Sequence, residues 1–358
     1  MIQCRFCRSS SGRVVLDLGP QPACDLFPPA AHPGPDPVHP LRMWACAACG
    51  LAQLAEDPAG AEEPRGAEPA ALVQQARDAV ARVRLAGWLD GARTVAEFGS
   101  PHGGSWLDLV ELTPVNHRTD GPGDGPGDGR ADVVIDCFGL MHEPDQAAGL
   151  AARAERLAAG GVLLLQFHTL AAILRDGQWN ALRHGHHAYY STPVLTAMLR
   201  QAGLVARSAF RFDLYGGTVL LAATRGGEPD ESVTSLIEEE LAAGVTDPAT
   251  LERLGEDATR GAEKLRALLA ERSGAIIGYG AASRAVALLC RAGVDAGLLP
   301  AVVDASAAKQ GRRMPGTDIP IVGPERLAGA GQVLLFLPDL LPEVRASHPG
   351  VAGWIVAP

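Results

Sequence analysis

The stretch Thr94-Val95-Ala96-Glu97-Phe98-Gly99-Ser100-Pro101-His102-Gly103-Gly104 decides the fold of the chain. A short apolar run ends in E-x-G, passes into a glycine-rich turn and leads into a helical pattern. That order opens a nucleotide-binding α/β unit. Glu97, Gly99 and Gly103 are therefore the candidate cofactor-binding residues. Strand-like runs return at 131–136 and 161–167, with an Ala-rich helical stretch at 146–159 between them. The alternation predicts a parallel sheet covered by helices.

Upstream, residues 70–89 carry apolar side chains at three- and four-residue spacing, which predicts a helix. Before that, the chain is rich in Cys and Pro. Cys4-Arg5-Phe6-Cys7 and Cys46-Ala47-Ala48-Cys49 are two C-x-x-C pairs. Each supplies two thiolates at one coordination edge, so Cys4, Cys7, Cys46 and Cys49 close a tetrahedral zinc site of the structural kind, with no open position for chemistry. Cys24, Cys137 and Cys290 read as small buried hydrophobes.

Downstream, Ala275-Ile276-Ile277-Gly278-Tyr279-Gly280-Ala281-Ala282-Ser283 is again strand, glycine turn and helix, followed by strand-like runs at 299–304 and 332–337. The acidic, helically periodic stretch 230–271 connects the two units. The expected fold is α/β: a small zinc-binding module (1–60), a Rossmann-like unit (61–228, shortened around 105–130), a helical connector (229–271) and a second Rossmann-like unit (272–358). The two doubly wound units are expected to pack around a cleft.

Composition narrows the function. The chain has 358 residues, 47% of them hydrophobic, and a net charge of -10. With no Lys/Arg-rich run, nucleic acid and anionic membrane surfaces are not its expected partners. No apolar stretch approaches the roughly 20 residues of a membrane span, and the N-terminus has no apolar core of a signal peptide. A cytoplasmic location with reduced thiols is the expectation.

Taken together, the cysteine pairs, the middle α/β unit and the C-terminal G-Y-G-A-A-S…V-V-D-A-S-A-A-K-Q-G-R-R-M-P-G-T-D-I-P-I resemble the nucleotide-deoxysugar C-methyltransferases over essentially the whole chain. Those enzymes add a methyl group from S-adenosylmethionine to C3 of a dTDP-linked 4-keto-deoxysugar in antibiotic sugar biosynthesis. The resemblance implies a dTDP-sugar as the small-molecule partner. Its chemistry needs a base, because the 4-keto group acidifies the neighbouring C–H, and histidine titrates near the working pH.

The candidate bases are His168, past a strand where α/β sheets bind ligands, and the cluster His184-Gly185-His186-His187. The family's cluster reads approximately Tyr-His-Glu-His-Phe-Ser-Tyr. Laid on it, Arg183 stands at the first Tyr, His184 and His186 at the two His, Gly185 at the Glu, His187 at the aromatic position and Tyr189 at the last Tyr. Tyr215-Gly216-Gly217-Thr218 resembles the family's His-Gly-Gly-Ser turn near the sugar. Gly278, Tyr279 and Gly280 form a turn that could approach a pyrophosphate. Lys309 and Arg312, with Gln310 and Arg313, add donors for it.

At the methyl-donor turn, Glu97, Gly99, Ser100 and Gly103 match the family's E-x-G-S-N-D-G-T, while Pro101-His102 replaces Asn-Asp. An adenosine-binding unit then needs a second strand ending in an acid for the ribose. Residues 105–119 have room for one helix and at best one short strand. Asp120-Gly121-Pro122-Gly123-Asp124-Gly125-Pro126-Gly127-Asp128-Gly129 cannot be sheet interior. Only Asp120 and Asp124, within that tract, offer themselves as the ribose acid.

This shortening argues against S-adenosylmethionine binding. It predicts a methyltransferase-like isomerase (an epimerase, keto-isomerase or pyranose-furanose mutase) acting on a dTDP-linked 4-keto-6-deoxyhexose. His186 or His168 would exchange the proton, Tyr189 would donate or orient, and Arg183 would face the enolate. The alternative is the family's own C3 C-methylation. A third reading is a non-catalytic sugar-nucleotide-binding partner of another enzyme.

Overall fold

The computed structural model describes residues 1–56, 69–99, 104–115, 129–272 and 274–358. Gly103, Asp120 and Asp124 lie outside these residues.

The N-terminal module is an antiparallel sheet of β1 (Gly12–Pro22), β2 (Val38–Cys46) and β3 (Ala52–Leu54). The first cysteine pair sits just before β1, and the second straddles the end of β2. Cys24 and Cys137 are buried and Cys290 half-buried, and none of the three is in a disulfide.

The middle unit runs α1 (Ala70–Leu85), β4 (Thr94–Phe98), α2 (Leu107–Val110), β5 (Thr113–Pro114), β6 (Ala131–Cys137), α3 (Gln146–Glu155), β7 (Leu157–His168), α4 (Leu170–Arg175), β8 (Ala188–Tyr189), α5 (Thr192–Gln201), β9 (Val205–Phe212) and β10 (Thr218–Thr224). Its sheet has the order β5-β4-β6-β7-β10-β9. The first four strands are parallel, and β10 is antiparallel to both neighbours.

β6 and β7 read as continuous apolar runs because both their faces are buried. Val133, Ile135, Val162 and Leu164 pack with α1 on one face. Val134, Leu163 and Leu165 pack with α3 and α5 on the other. Asp145 caps α3 by accepting from the Ala148 N–H at 3.0 Å.

Within the described part of the shortened stretch, β4 is followed by the four-residue α2 and the two-residue, exposed β5. β8 does not join this sheet. It pairs with β3, Ala52 opposite Tyr189, and so extends the module's sheet with residues from the middle of the chain.

The C-terminal unit follows α6 (Glu231–Ala242) and α7 (Pro248–Glu271). It runs β11 (Ile276–Tyr279), α8 (Ser283–Ala292), β12 (Val302–Val303), β13 (Ile321–Val322), β14 (Gln332–Leu335), α9 (Leu341–Ser347) and β15 (Gly353–Val356). Its five strands are all parallel, in the order β13-β12-β11-β14-β15.

α7 is more than a connector. Leu251, Leu254, Ala258, Ala262, Leu265 and Leu269 form a stripe buried in one cluster with β1 residues Val15, Leu16 and Leu18, with Trp179, and with α8 residues Val286 and Leu289. This helix is the shared core of the module, the middle unit's site loop and the C-terminal unit.

In open α/β sheets ligands lie at the carboxyl ends of strands where the winding reverses. In the middle unit, β5 lies on one side of β4 and β6 on the other, so the reversal falls between β4 and β6. In the C-terminal unit it falls between β11 and β14. The two reversals open onto a common cleft.

Candidate active site

The cleft holds a cavity of about 480 Å³. Phe138, Met141, His168, Arg183, His186, Tyr189 and Tyr215 line it from the middle unit. Tyr279, Gly280, Ser283, Arg284, Asp304 and Lys309 line it from the C-terminal unit. Eight of the residues singled out in the sequence therefore share one wall: His168, Arg183, His186, Tyr189, Tyr215, Tyr279, Gly280 and Lys309.

His168 is the last residue of β7 and is buried. Its Nε2 has no hydrogen-bond partner, and the Tyr215 backbone carbonyl accepts from the ring. With the ring proton on Nδ1 and donated to that carbonyl, Nε2 keeps a lone pair without a partner, and Arg284 Nη2, 3.4 Å from Nδ1, is a neighbouring charge and not a donor to the ring. Burial first, then the charges of Arg284 and Arg175, holds its pKa well below the usual histidine value. The ring is neutral at pH 7.

Arg183 ties three parts of the chain together. Its Nε lies 2.7 Å from His186 Nε2, its Nη1 lies 3.3 Å from Asp25 Oδ1 of the module, and Nη1 also donates to Ser283 Oγ at the start of α8. Its backbone N–H donates to Tyr189 Oη at 3.0 Å, and Tyr189 donates in turn to the Ala181 carbonyl. Tyr189 is thus a brace for this loop, and its burial pushes the phenol pKa up, away from proton donation.

Five of the expected catalytic and substrate-binding residues do not line the cavity. His184 faces the module, with Nε2 3.2 Å from the Pro40 carbonyl and its ring edge-on to His39. The turn at Gly185 (φ +80°) separates it from His186. Arg312 does not line the cavity: it donates to the Phe27 carbonyl at 2.7 Å and the Ala308 carbonyl at 2.9 Å, fastening the module to the C-terminal unit. Beside it, Arg313 clamps Asp36 at 2.6 and 2.7 Å.

Gly278 lies within β11, where a Cβ would come 2.9 Å from Phe336, so its role is packing. Gly216 and Gly217 shape the turn that turns Tyr215 (φ +59°) toward the cavity; a Cβ on Gly217 would meet Ala172 at 2.7 Å.

Lys309 stands over the Phe27 ring and donates to the Ala281 carbonyl at 2.9 Å. Asp304 receives the Ala281 N–H at 2.7 Å. Residues that the sequence reading missed are Arg284, Asp25, Ser283, His142 and Asp339. His142 packs edge-on against His186, and its Nδ1 is 3.0 Å from the Gly185 carbonyl. Burial, then Arg183, brings the His142 pKa down to about 3.

The four Sγ atoms of Cys4, Cys7, Cys46 and Cys49 lie within 4.8 Å of one another. Cys4 and Cys49 are 3.5 Å apart, and Cys7 and Cys46 3.6 Å. Four thiolates at about 2.3 Å from a tetrahedral zinc stand about 3.8 Å apart, so the set fits the metal.

The turn after β4 is where the sequence reading expects a cofactor. Gly99 has open space where a Cβ would stand, and a Cβ on Gly139 would fall 3.2 Å from the Gly99 carbonyl. The turns after β4 and β6 thus meet with bare backbone at the winding reversal, beside Phe138 of the cavity wall. Glu97 holds this turn from behind: it accepts from Trp106 N and Ser105 Oγ, both at 2.6 Å.

Two family models match the chain: a zinc binding domain over residues 4–61 and the C-methyltransferase C-terminal domain over residues 213–355. The C-methyltransferase NovU of Streptomyces niveus is 25% identical over 366 residues, covering 91% of this chain and 87% of that protein. Among solved structures, magnesium protoporphyrin IX methyltransferase of Synechocystis PCC 6803 with bound SAH is 14% identical, with a TM-score of 0.31, over 44% of this chain and 84% of its own. The CcbJ methyltransferase of Streptomyces caelestis is 17% identical, with a TM-score of 0.31, over 46% of this chain and 100% of its own.

Proposed function

For a chain that matches a zinc binding domain model over residues 4–61 and the C-methyltransferase C-terminal domain model over residues 213–355, we propose C-methylation of a nucleotide-linked keto-deoxysugar, with S-adenosylmethionine as methyl donor. The observation that carries the reading is His168 Nε2, a buried ring nitrogen without a partner in the wall of a cavity fed by two winding reversals. The comparisons favour this reading over the isomerase expected from the shortened stretch, and over loss of the methyl donor.

His168 takes the proton from the carbon next to the substrate ketone, at Nε2, with the electron pair passing to that carbon and the carbonyl oxygen. Its neutrality before the step keeps the lone pair available. His186, Arg183 and Tyr189 hold the loop that frames the sugar. Gly280, Lys309 and the start of α8 face the diphosphate. When bound, S-adenosylmethionine supplies an electrophilic methyl group, and Gly99 and Phe138 are the described residues that would hold it. The zinc site is structural.

Isomerisation without methyl transfer remains the second reading, because β5 is reduced to Thr113–Pro114 and no described acid stands at its end. Calorimetry tests the choice. Binding of S-adenosylmethionine in the presence of a dTDP-4-keto-6-deoxyhexose supports methylation. Binding of the sugar nucleotide alone supports isomerisation.

A further inference from the structure

Two guanidinium groups line the cavity, and they are compensated differently. Arg183 has Asp25 as counter-ion at 3.3 Å. Arg284, in the first turn of α8, reaches out of its own unit toward the middle one. Its Nη1 donates to Gln178 Oε1 at 3.1 Å, its Nη2 lies 3.4 Å from His168 Nδ1, and its guanidinium stands over the Tyr215 ring at 5.4 Å.

Among the described residues no carboxylate pairs with Arg284. Asp339 acts on it only through space, and its Oδ1 already accepts from the Tyr215 N–H at 3.2 Å. A deeply placed cation facing a neutral amide and a neutral imidazole is poorly compensated, and an anion in the cavity would offset its desolvation.

Its position beside His168 identifies that anion. A fixed positive charge next to a base opposes protonation of the base, unless a negative charge forms between them in the same step. We propose that Arg284 is a catalytic residue that binds the carbonyl oxygen of the substrate as it becomes an enolate. This rests on the deprotonation step of the proposed function.

The C–H bond breaks, its proton goes to His168 Nε2, and its electron pair forms the C=C bond while the oxygen takes the negative charge against Arg284. When that carbon forms its new bond, the C=O bond re-forms and the negative charge on the oxygen facing Arg284 disappears; S-adenosylmethionine, when bound, would supply the electrophilic methyl group. Arg183, with its charge met by Asp25 and its donors directed to His186 and Ser283, is the less suited of the two to that role.

The test follows solvent deuterium entering the carbon next to the ketone of a dTDP-4-keto-6-deoxyhexose, alongside calorimetry with dTDP, which lacks the ketone. In Arg284→Gln, exchange is expected to fall about 10²–10³-fold, as for loss of one oxyanion donor, while the dTDP Kd stays within about threefold. The His168 ring, followed by NMR, should also titrate at a higher pH, since Arg175 remains and Tyr215 is unchanged. Arg284→Lys keeps the charge without the fork and should fall between, giving a second variant if Gln unfolds the protein.

Loss of dTDP affinity with exchange retained would make Arg284 a diphosphate clamp and overturn the proposal. Equal exchange in wild type and both variants would overturn it as well. Absence of exchange in the wild type would instead overturn the deprotonation reading on which it rests.

Discussion

Nε of Arg183 lies 2.7 Å from Nε2 of His186. A guanidinium only donates, so that nitrogen of His186 is the acceptor. The contact is kept in place by Asp25, which comes from the N-terminal module. Asp25→Asn should therefore lower turnover as well as stability, the latter by about 1–3 kcal/mol for a weakened, largely buried pair. Urea midpoints and turnover measured on the same preparation check this. Unchanged turnover would show that the module's loop has no part in holding the site.

The histidines separate by their position. His168→Gln should reduce turnover by about 10²–10⁴-fold, the usual loss for a general base, with the fold intact by circular dichroism. His184→Ala, directed at the Pro40 carbonyl and away from the cavity, should leave kcat within a few-fold. Comparable losses in both variants would contradict the assignment.

Acid stability follows from the same groups. The folded-state pKa values of His168 and His142 lie below the unfolded value of about 6.5. The unfolded chain then binds protons that the folded one does not, so their contribution is full above about pH 6.5 and declines as pH falls toward the folded pKa, which for His142 is about 3. Each group adds a slope of up to about 1.4 kcal/mol per pH unit within that window. Denaturation midpoints at pH 7 and pH 5 should show the decline, and His142→Gln should flatten it.

Zinc should act on the site through β8. Tyr189 pairs with Ala52, and the Leu54 N–H donates to the His187 carbonyl at 3.2 Å, so the cysteine module is directly bonded to the loop carrying His186. Chelation, or Cys46→Ser, should lower the thermal midpoint and turnover together. Metal analysis should find close to one zinc per chain beforehand. A chelated protein with full turnover would refute this coupling.

Lys309 and Arg312 should also part company. Lys309→Met should weaken dTDP binding by about tenfold or more, as for a lost charged contact. Arg312→Ala should leave it nearly unchanged while destabilising the attachment of the module. Calorimetry with dTDP on the two variants reads both effects.

Much of this was legible in the chain. Cys4, Cys7, Cys46 and Cys49 carry a fixed ligand spacing, and His168 ends an apolar strand, a place where α/β folds put function. What escaped depends on contacts between distant segments. Asp25 and Arg284 meet Arg183 and His168 only after three parts of the chain pack on α7, and nothing local marks them. Within 183–187 the spacing cannot tell which histidine faces inward; the backbone turn at Gly185 decides it. The β9–β10 hairpin also went unread, because a short apolar run such as Thr218–Thr224 is ambiguous between helix and strand.

The most direct measurement incubates the protein with a dTDP-4-keto-6-deoxyhexose and S-adenosylmethionine carrying a deuterated methyl group, and follows the sugar nucleotide by mass spectrometry. The account predicts a product that retains the deuterated methyl on carbon next to the ketone, and its loss in His168→Gln. A sugar nucleotide that is bound and rearranged in heavy water, yet never gains the labelled methyl, would contradict it.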